Sequence, residues 1–472
     1  MWNLSRYGHA TAAKTGDGPE TSYHTLLDYG HHLVAHIQQR CLVIQLCHNT
    51  LGSLVGYVAF LNHHIVPLML PSELDDTLLQ NFLHTYKPSY LYLPDHMAQK
   101  FPHYTYVYSN LGYVLLKTND TNTYLLHDEL ALLLTTSGST GSPKLVRQSY
   151  KNIQSNTKSI VEYLNLNETE RTITTLPMNY TYGLSILNTH LAVGASIILT
   201  EMGLMQKEFW HYLKEYKVTS FGGVPYTYAM LEKLRFFNME LPHLRYMTQA
   251  GGKLSPDLHQ KFAAYAQKNN KSFIVMYGQT EATARMSYLP PEKSLDKYGS
   301  IGIAIPGGKL YLVNANGQEI VATETEGELV YSGDNVTLGY AECGDDLARG
   351  DERNNQLFTG DIATMDSEGY YYIVGRKNRF IKIFGNRVNL DETEKLIQTH
   401  FNHDVECACT GVDDAMLIYI TNPIIEKEVK DFVSKKTGLN PIAFKVLVTD
   451  YIPKNEAGKP IYTELRNKNG VI

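Results

Sequence analysis

An α/β protein with more than one domain is what this sequence predicts: a large amino-terminal domain of α/β subdomains that includes a β-rich subdomain, then a small α+β domain at the carboxyl end. Length is the first reason, because 472 residues exceed what one hydrophobic core organises. The second is a repeated alternation of strand-length apolar runs with longer helical stripes, as where Leu42 to Gln45 precedes Leu54, Val58 and Leu61. Such alternation marks an α/β fold. The third is a change of pattern near Gly299, where short strands punctuated by Gly, Asn and Asp take over.

Bulk properties narrow the classes of function. A chain that is 43% hydrophobic and 19% charged is ordinary globular protein. The formal net charge of −6 disfavours general attraction to nucleic acid or anionic lipid and leaves room only for a focused cationic pocket. Met1 to Gly18 has no apolar central stretch and no small-residue cleavage pattern, so a cytoplasmic protein is expected. Runs such as Ile65 to Leu70 fall far short of the roughly 20 apolar residues that span a bilayer. The five cysteines, Cys41, Cys47, Cys343, Cys407 and Cys409, form an odd and scattered set that suits reduced thiols. Cys407 and Cys409 share one face of an expected strand, with His400 and His403 nearby; their spacing fits no zinc pattern, and core thiols are the reading adopted.

The elements follow in order. The amino-terminal domain is expected over residues 1–376. Its β-rich subdomain, about 299–375, carries strands at Leu310 to Val313, Glu328 to Ser332 and Tyr370 to Val374. Residues 377–472 have their own signals, with helices at Glu392 to His400 and Glu428 to Lys435 and a strand at Met416 to Ile420. That is the pattern of a small α+β domain.

One loop stands out. The expected buried strand Leu132 to Thr135 runs into Thr136, Ser137, Gly138, Ser139, Thr140, Gly141, Ser142, Pro143 and Lys144. Gly138 and Gly141 allow backbone N–H groups to turn toward an anion, while hydroxyls and the Lys144 ammonium add donors. A polyphosphate suits this arrangement, although a Ser/Gly-rich loop by itself is also a flexible connection. It is not a Walker A loop, because Lys144 has the wrong spacing and no Ser or Thr follows it.

TTSGSTGSPK at Thr135 to Lys144 resembles the phosphate loop of the AMP-forming acyl-adenylating superfamily, which holds acyl-CoA synthetases, amino-acid adenylation domains and luciferases. Further segments match in the same order to the end of the chain. The resemblance implies ATP and Mg²⁺ as cofactors and an acyl-adenylate as intermediate. In LRYMTQAGGKL, Gly251 and Gly252 would lie against the adenine, where bare backbone lets a flat base approach closely. In MYGQTEAT, Tyr277 would face the adenine, Thr280 would contact the α-phosphate and Glu281 would ligate Mg²⁺, with Gly278 and Gln279 completing the nucleotide set. GELVYSGDNVTLGY at Gly327 to Tyr340 resembles a structural signature and is assigned no chemistry. In FTGDIA, Asp361 would bind the ribose hydroxyls together with Arg376.

By the same resemblance the carboxyl-terminal domain is a mobile lid that pivots at Asn378, a position usually held by Asp or Lys. Lys459, after Gly458, would be the catalytic lysine, whose ammonium offsets negative charge as a carboxylate attacks the α-phosphate. Gly385 would line a tunnel for a pantetheine thiol. LPMNYTYGLS at Leu176 to Ser185 resembles the segment that walls the acyl pocket and places Tyr180 there, with Gly222, Gly223, Val224, Tyr226, Ala250 and Gln279 as further lining. No Asp lies between Arg171 and Val193 to meet an α-ammonium, so an α-amino acid is disfavoured, with Asn179 the one polar exception. The expected activity is acyl transfer to coenzyme A. A stand-alone enzyme that loads an acyl carrier protein is the second reading, and a non-catalytic nucleotide-binding relative the third.

Overall fold

Apolar runs without alternation belong to strands covered on both faces, and here they form the centres of two parallel sheets. The computed structural model describes residues 1–16, 18–120, 124–135, 144–383, 386–401, 405–412, 414–437, 439–455, 458–462 and 464–465, with backbone only at 378, 380, 382, 386 and 387. Its residues fall into two compact units, 1–309 with 331–357 and 310–330 with 358–472.

The first unit holds both large sheets. In the nine-stranded one, Ser272–Tyr277, Tyr246–Gln249, Ser220–Gly223, Arg171–Ile173, Ser196–Leu199 and Thr11–Thr15 run parallel in that order. Antiparallel strands Ser287–Tyr288 and Ile303–Ala304 extend one edge, and Glu20–Ser22 the other. In the eight-stranded sheet, Leu130–Thr135, Val66–Pro71, Leu42–Cys47 and Tyr90–Pro94 are the parallel centre. Leu145–Ser149 and Gly339–Ala341 are added antiparallel on one side, Tyr113–Lys117 and Thr105–Asn110 on the other.

One hydrophobic core joins the two sheets, drawing Val43, Cys47 and Met69 together with Leu184, Ile197 and Leu199. The helices Leu51–Asn62 and Thr181–Val193 are buried almost end to end and contribute to this core. A helix apolar all round belongs in such a position. Tyr57 Oη donates to Asn188 Oδ1 at 2.7 Å and links the two helices inside it. By contrast, Tyr150–Leu164 is two-faced, and Ser149 caps it in a capping box with Asn152.

In the second unit, a five-stranded sheet is ordered Glu319–Ile320, Lys309–Val313, Gly327–Ser332, Gln356–Met365, Tyr371–Arg376, its outermost pair at each edge antiparallel. Beyond it, Cys407–Val412, Ala415–Ile420 and Phe444–Val448 make a three-stranded sheet. The helices Leu390–His400 and Glu426–Thr437 pack on this sheet around Ile397, Cys407, Cys409, Ile418, Val429 and Val433. The side chain of Asn389 caps the first of them, accepting from the backbone N–H groups of Asp391 and Glu392.

The mixed α/β class with a small carboxyl-terminal α+β part is what the sequence predicts. The expected boundary at 376/377 lies inside the second unit, which gathers 310–330 and 358–376 with the carboxyl-terminal residues. Strands of the expected β-rich stretch are divided among three sheets: Ile303–Ala304 joins the nine-stranded sheet and Gly339–Ala341 the eight-stranded one. Cys41, Cys47, Cys407 and Cys409 are buried free thiols. No described helix is long and apolar enough to cross a membrane.

Candidate active site

Three neighbouring parallel strands end on one side of the nine-stranded sheet, and each runs directly into a segment singled out from the sequence. Ser220–Gly223 leads to Val224, Tyr246–Gln249 to Ala250, Gly251 and Gly252, and Ser272–Tyr277 to Gly278, Gln279, Thr280 and Glu281. The carboxyl ends of strands in an open parallel sheet are where such folds bind ligands.

Gly251 brings the expected nucleotide and acyl residues together. It sits at φ +85°, and a Cβ there would lie 2.6 Å from Tyr180 Oη and 3.0 Å from Val224 Cγ1. Glycine is therefore required both by backbone conformation and by the two side chains that close on it. Gln249 Nε2 braces the turn by donating to the carbonyls of Ala250 at 3.2 Å and Gly252 at 2.9 Å. Burial pushes the Tyr180 hydroxyl up to about 12, so it remains a neutral donor. Tyr182, whose ring lies 6.3 Å from that of Tyr180, donates to the Thr248 carbonyl at 2.8 Å. Gly222 is pressed by Tyr182 Oη and Thr248, while Gly223 is pressed by Thr227 and Tyr228 of the helix Pro225–Lys233. Tyr226, expected in the pocket, is 63% exposed on that helix.

The loop after Tyr277 doubles back on itself. A Cβ on Gly278 would fall 1.6 Å from the Ala284 carbonyl oxygen, so the two arms cross backbone to backbone. Thr283 at φ +58° and Ala284 at φ +123° occupy the left-handed region, which surrounding bonds must hold in place. Asn335 holds it: Nδ2 donates to the carbonyls of Ala282 at 2.8 Å and Arg285 at 3.1 Å, and its own carbonyl accepts from Thr283 Oγ1 at 2.8 Å. Tyr331 Oη fixes Asn335 in turn, donating to Oδ1 at 2.8 Å.

Glu281 projects from this loop. Its Oε1 accepts from Tyr340 Oη at 2.7 Å, and its carbonyl accepts from the Thr337 backbone N–H at 3.0 Å. The Tyr340 ring has Lys144 Nζ 3.9 Å and the Arg353 guanidinium carbon 4.6 Å from its centroid. Lys144 Nζ also lies 3.3 Å from Glu342 Oε1. Burial, and next the Glu281 carboxylate, pushes the Tyr340 hydroxyl up to about 12, which keeps it donating. Lys144, Glu281, Tyr340 and Arg353 thus form one cluster of opposite charges around a phenol. Tyr340 and Arg353 have no sequence-derived role; Tyr340 reaches the site because it pairs with Val146, two residues beyond Lys144. Thr136, Ser137, Gly138, Ser139, Thr140 and Gly141 lie outside the described residues.

Asp361, Arg376 and Lys459 belong to the second unit. Asp361 and Arg376 are cross-strand partners, with Arg376 Nε 3.0 Å from Asp361 Oδ1, and Gly360, inside the same strand as Asp361, takes φ +70°. Lys459 follows Gly458 at φ +75°, next to the antiparallel bridge between Lys454 and Pro460. Its backbone N–H donates to Asn455 Oδ1 at 3.0 Å. Asn378 has its backbone in the 3-10 turn Lys377–Arg379, and Gly385 lies outside the described residues.

The model of the family described as AMP-binding enzyme matches residues 3–341. This chain belongs to the AMP-binding enzyme family. Among curated relatives, the oxalate–CoA ligase of Arabidopsis thaliana is 30% identical over 351 residues, 70% of this AMP-binding enzyme and 66% of the relative. The 2-succinylbenzoate–CoA ligase of Bacillus licheniformis is 27% identical over 341 residues, 70% of this chain and 69% of that one. The match thus spans slightly under two thirds of the Arabidopsis protein. Among solved structures, the O-succinylbenzoate coenzyme A synthetase of Bacillus subtilis in complex with AMP superposes with a TM-score of 0.79, covering 98% of this chain and 97% of that one at 21% identity. The AMP-binding enzyme described here shares that fold.

Proposed function

We propose that this AMP-binding enzyme is an ATP-dependent acid–thiol ligase that converts a carboxylic acid to its acyl-adenylate with release of pyrophosphate, then transfers the acyl group to the thiol of coenzyme A. The observation that carries the reading is that Tyr180 and Val224 close on Gly251 where the parallel strands Ser220–Gly223 and Tyr246–Gln249 end, while the loop after the next parallel strand presents Glu281, which Tyr340 links to Lys144. Gly251 and Gly252 receive the adenine, Tyr180, Gly223, Val224 and Ala250 wall the acid, and Thr280 contacts the α-phosphate. Glu281, a hard oxygen donor with Oε1 already oriented by Tyr340, fits Mg²⁺, which when bound neutralises phosphate charge. Lys144 and Arg353 add positive charge for a polyphosphate. Asp361 and Arg376 bind the ribose, and Lys459 stabilises charge developing between the attacking carboxylate and the α-phosphate.

Two chemistries in one cleft call for a change of conformation, with a pivot at Asn378 and a thiol passage at Gly385. The protein acts in the cytoplasm on a small acid, and the acceptor is coenzyme A or, in the second reading, the phosphopantetheine of an acyl carrier protein. The two curated relatives are named for oxalate and 2-succinylbenzoate, acids with two carboxyl groups. Pyrophosphate exchange into ATP, screened with short, medium, aryl and amino acids, tests the first half-reaction. Exchange dependent on one class of acid is the expected result, and none with any acid rejects the proposal. Supplying a preformed acyl-adenylate with coenzyme A or with carrier protein then identifies the thiol.

A further inference from the structure

Five Asp, Glu, Lys or Arg side chains are buried among the described residues: Arg147, Glu170, Arg285, Asp346 and Asp361. Four have an ionic partner, in Glu352, Arg245, Arg349 and Arg376 respectively for Arg147, Glu170, Asp346 and Asp361. Arg285 has none. It is 2% exposed; its Nη1 donates to Tyr163 Oη at 3.2 Å and to Met276 Sδ at 3.3 Å, and its Nε is buried without an acceptor. Its guanidinium carbon lies 5.1 Å from the centroid of the Tyr182 ring.

The side chains that touch it supply no negative charge, and the nearby Glu170 carboxylate, which also acts on Tyr246, is paired with Arg245. Burial raises the hydroxyls of Tyr163, Tyr182 and Tyr246, and burial lowers His190 to about 4, with His190 Nδ1 on the Ile186 carbonyl at 2.8 Å. All four are neutral near pH 7, whereas a guanidinium stays protonated. An ion taken out of water without a counter-ion is among the least favourable arrangements a fold can hold. Its position relates it to the acid: Arg285 stands on the return arm of the loop that presents Thr280 and Glu281, behind Tyr182, which adjoins Tyr180.

We propose that the acid activated by this enzyme is a dicarboxylic acid, one carboxylate reacting beside Thr280 and the remote one pairing with Arg285. This deepens the ligase reading and rests on it. With the Tyr163 hydroxyl donating to Met276 Sδ at 3.1 Å, the Nε and Nη2 donors of Arg285 supply the hydrogen bonds that a carboxylate takes in forked geometry.

The test is pyrophosphate exchange by the full chain with acids matched in length and differing only at the remote end: succinate against butyrate, glutarate against pentanoate, and 2-succinylbenzoate against 4-oxo-4-phenylbutanoate. In at least one pair the diacid is expected to lead by about tenfold or more in kcat/KM, because a site built for a charged group rejects the analogue that leaves its donors unpaired. Arg285→Gln should bring that ratio close to one, chiefly by raising KM for the diacid, and Arg285→Lys should restore part of it. Should the glutamine variant fail to fold, the wild-type ratio and the lysine variant still decide. Monoacids preferred by the wild type, or a diacid preference that survives in folded Arg285→Gln, would overturn the assignment while leaving the ligase intact. Absence of exchange with every acid would remove both.

Discussion

A carboxylate on a turn swings unless one of its oxygens is held, and at Glu281 the Tyr340 hydroxyl does the holding. Tyr340→Phe keeps the ring beside Lys144 and Arg353 but frees the carboxylate. A hydrogen bond to a charged, partly exposed group contributes about 1 kcal/mol, so half-maximal exchange should need roughly fivefold more Mg²⁺. An unchanged magnesium titration would mean that the phenol does not position Glu281. The carboxylate was legible because its neighbours make a recognisable run, whereas Tyr340 lies 59 residues away and meets it only through strand pairing.

His190 and His259 give a second residue-scale prediction, since burial lowers each to about 4. The unfolded chain binds their protons first, so their contribution is complete above about pH 6.5 and is lost as pH falls toward 4, by up to about 1.4 kcal/mol per pH unit for each histidine. Urea midpoints should fall over that interval; a flat profile would refute it.

At the scale of elements, the loop between Tyr277 and Met286 is a strained crossing clasped by one side chain. Asn335→Ala removes the donors to Ala282 and Arg285 and the acceptor of Tyr331. Leaving buried carbonyls unsatisfied costs about 1–3 kcal/mol, which should appear in urea unfolding together with a loss of exchange activity. Stability equal to wild type would show that Thr283 and Ala284 need no clasp. Strand and helix positions were largely readable: Leu310 to Val313 extends by one residue to Lys309–Val313, and Glu392 to His400 by two to Leu390–His400. Partners were not, because an apolar pattern marks a strand without naming its neighbour. Gly339–Ala341 shows this: two intermediate or buried Tyr and Ala side chains after a glycine at φ +132° carry no sign that they will add to the sheet containing Leu130–Thr135.

At the scale of the whole molecule, the α/β class followed from alternating periodicity and the small α+β part from its own helix signals. The division of the β-rich stretch did not, since compact units are defined by contacts between distant residues. Lys459 belongs to the second unit and Glu281 to the first, and under the proposed function the two half-reactions are separable by mutation. Lys459→Ala should lower adenylate formation by about 100-fold or more and leave thioester formation from supplied acyl-adenylate nearly intact. Equal loss of both in a folded variant would mean that Lys459 has no special part in the first step.

The polypeptide passes from one unit to the other three times, at 309/310, 330/331 and 357/358. Neither unit is therefore a continuous stretch that a single cut could release. A fragment ending at Lys309 would forfeit Gly339–Ala341, baring the edge of Leu145–Ser149 and removing the phenol that steadies Glu281. Protein engineers wishing to graft a relative's second unit onto this AMP-binding enzyme must splice at several points or exchange only residues beyond 357, so the choice of junction is already written into the path of the backbone.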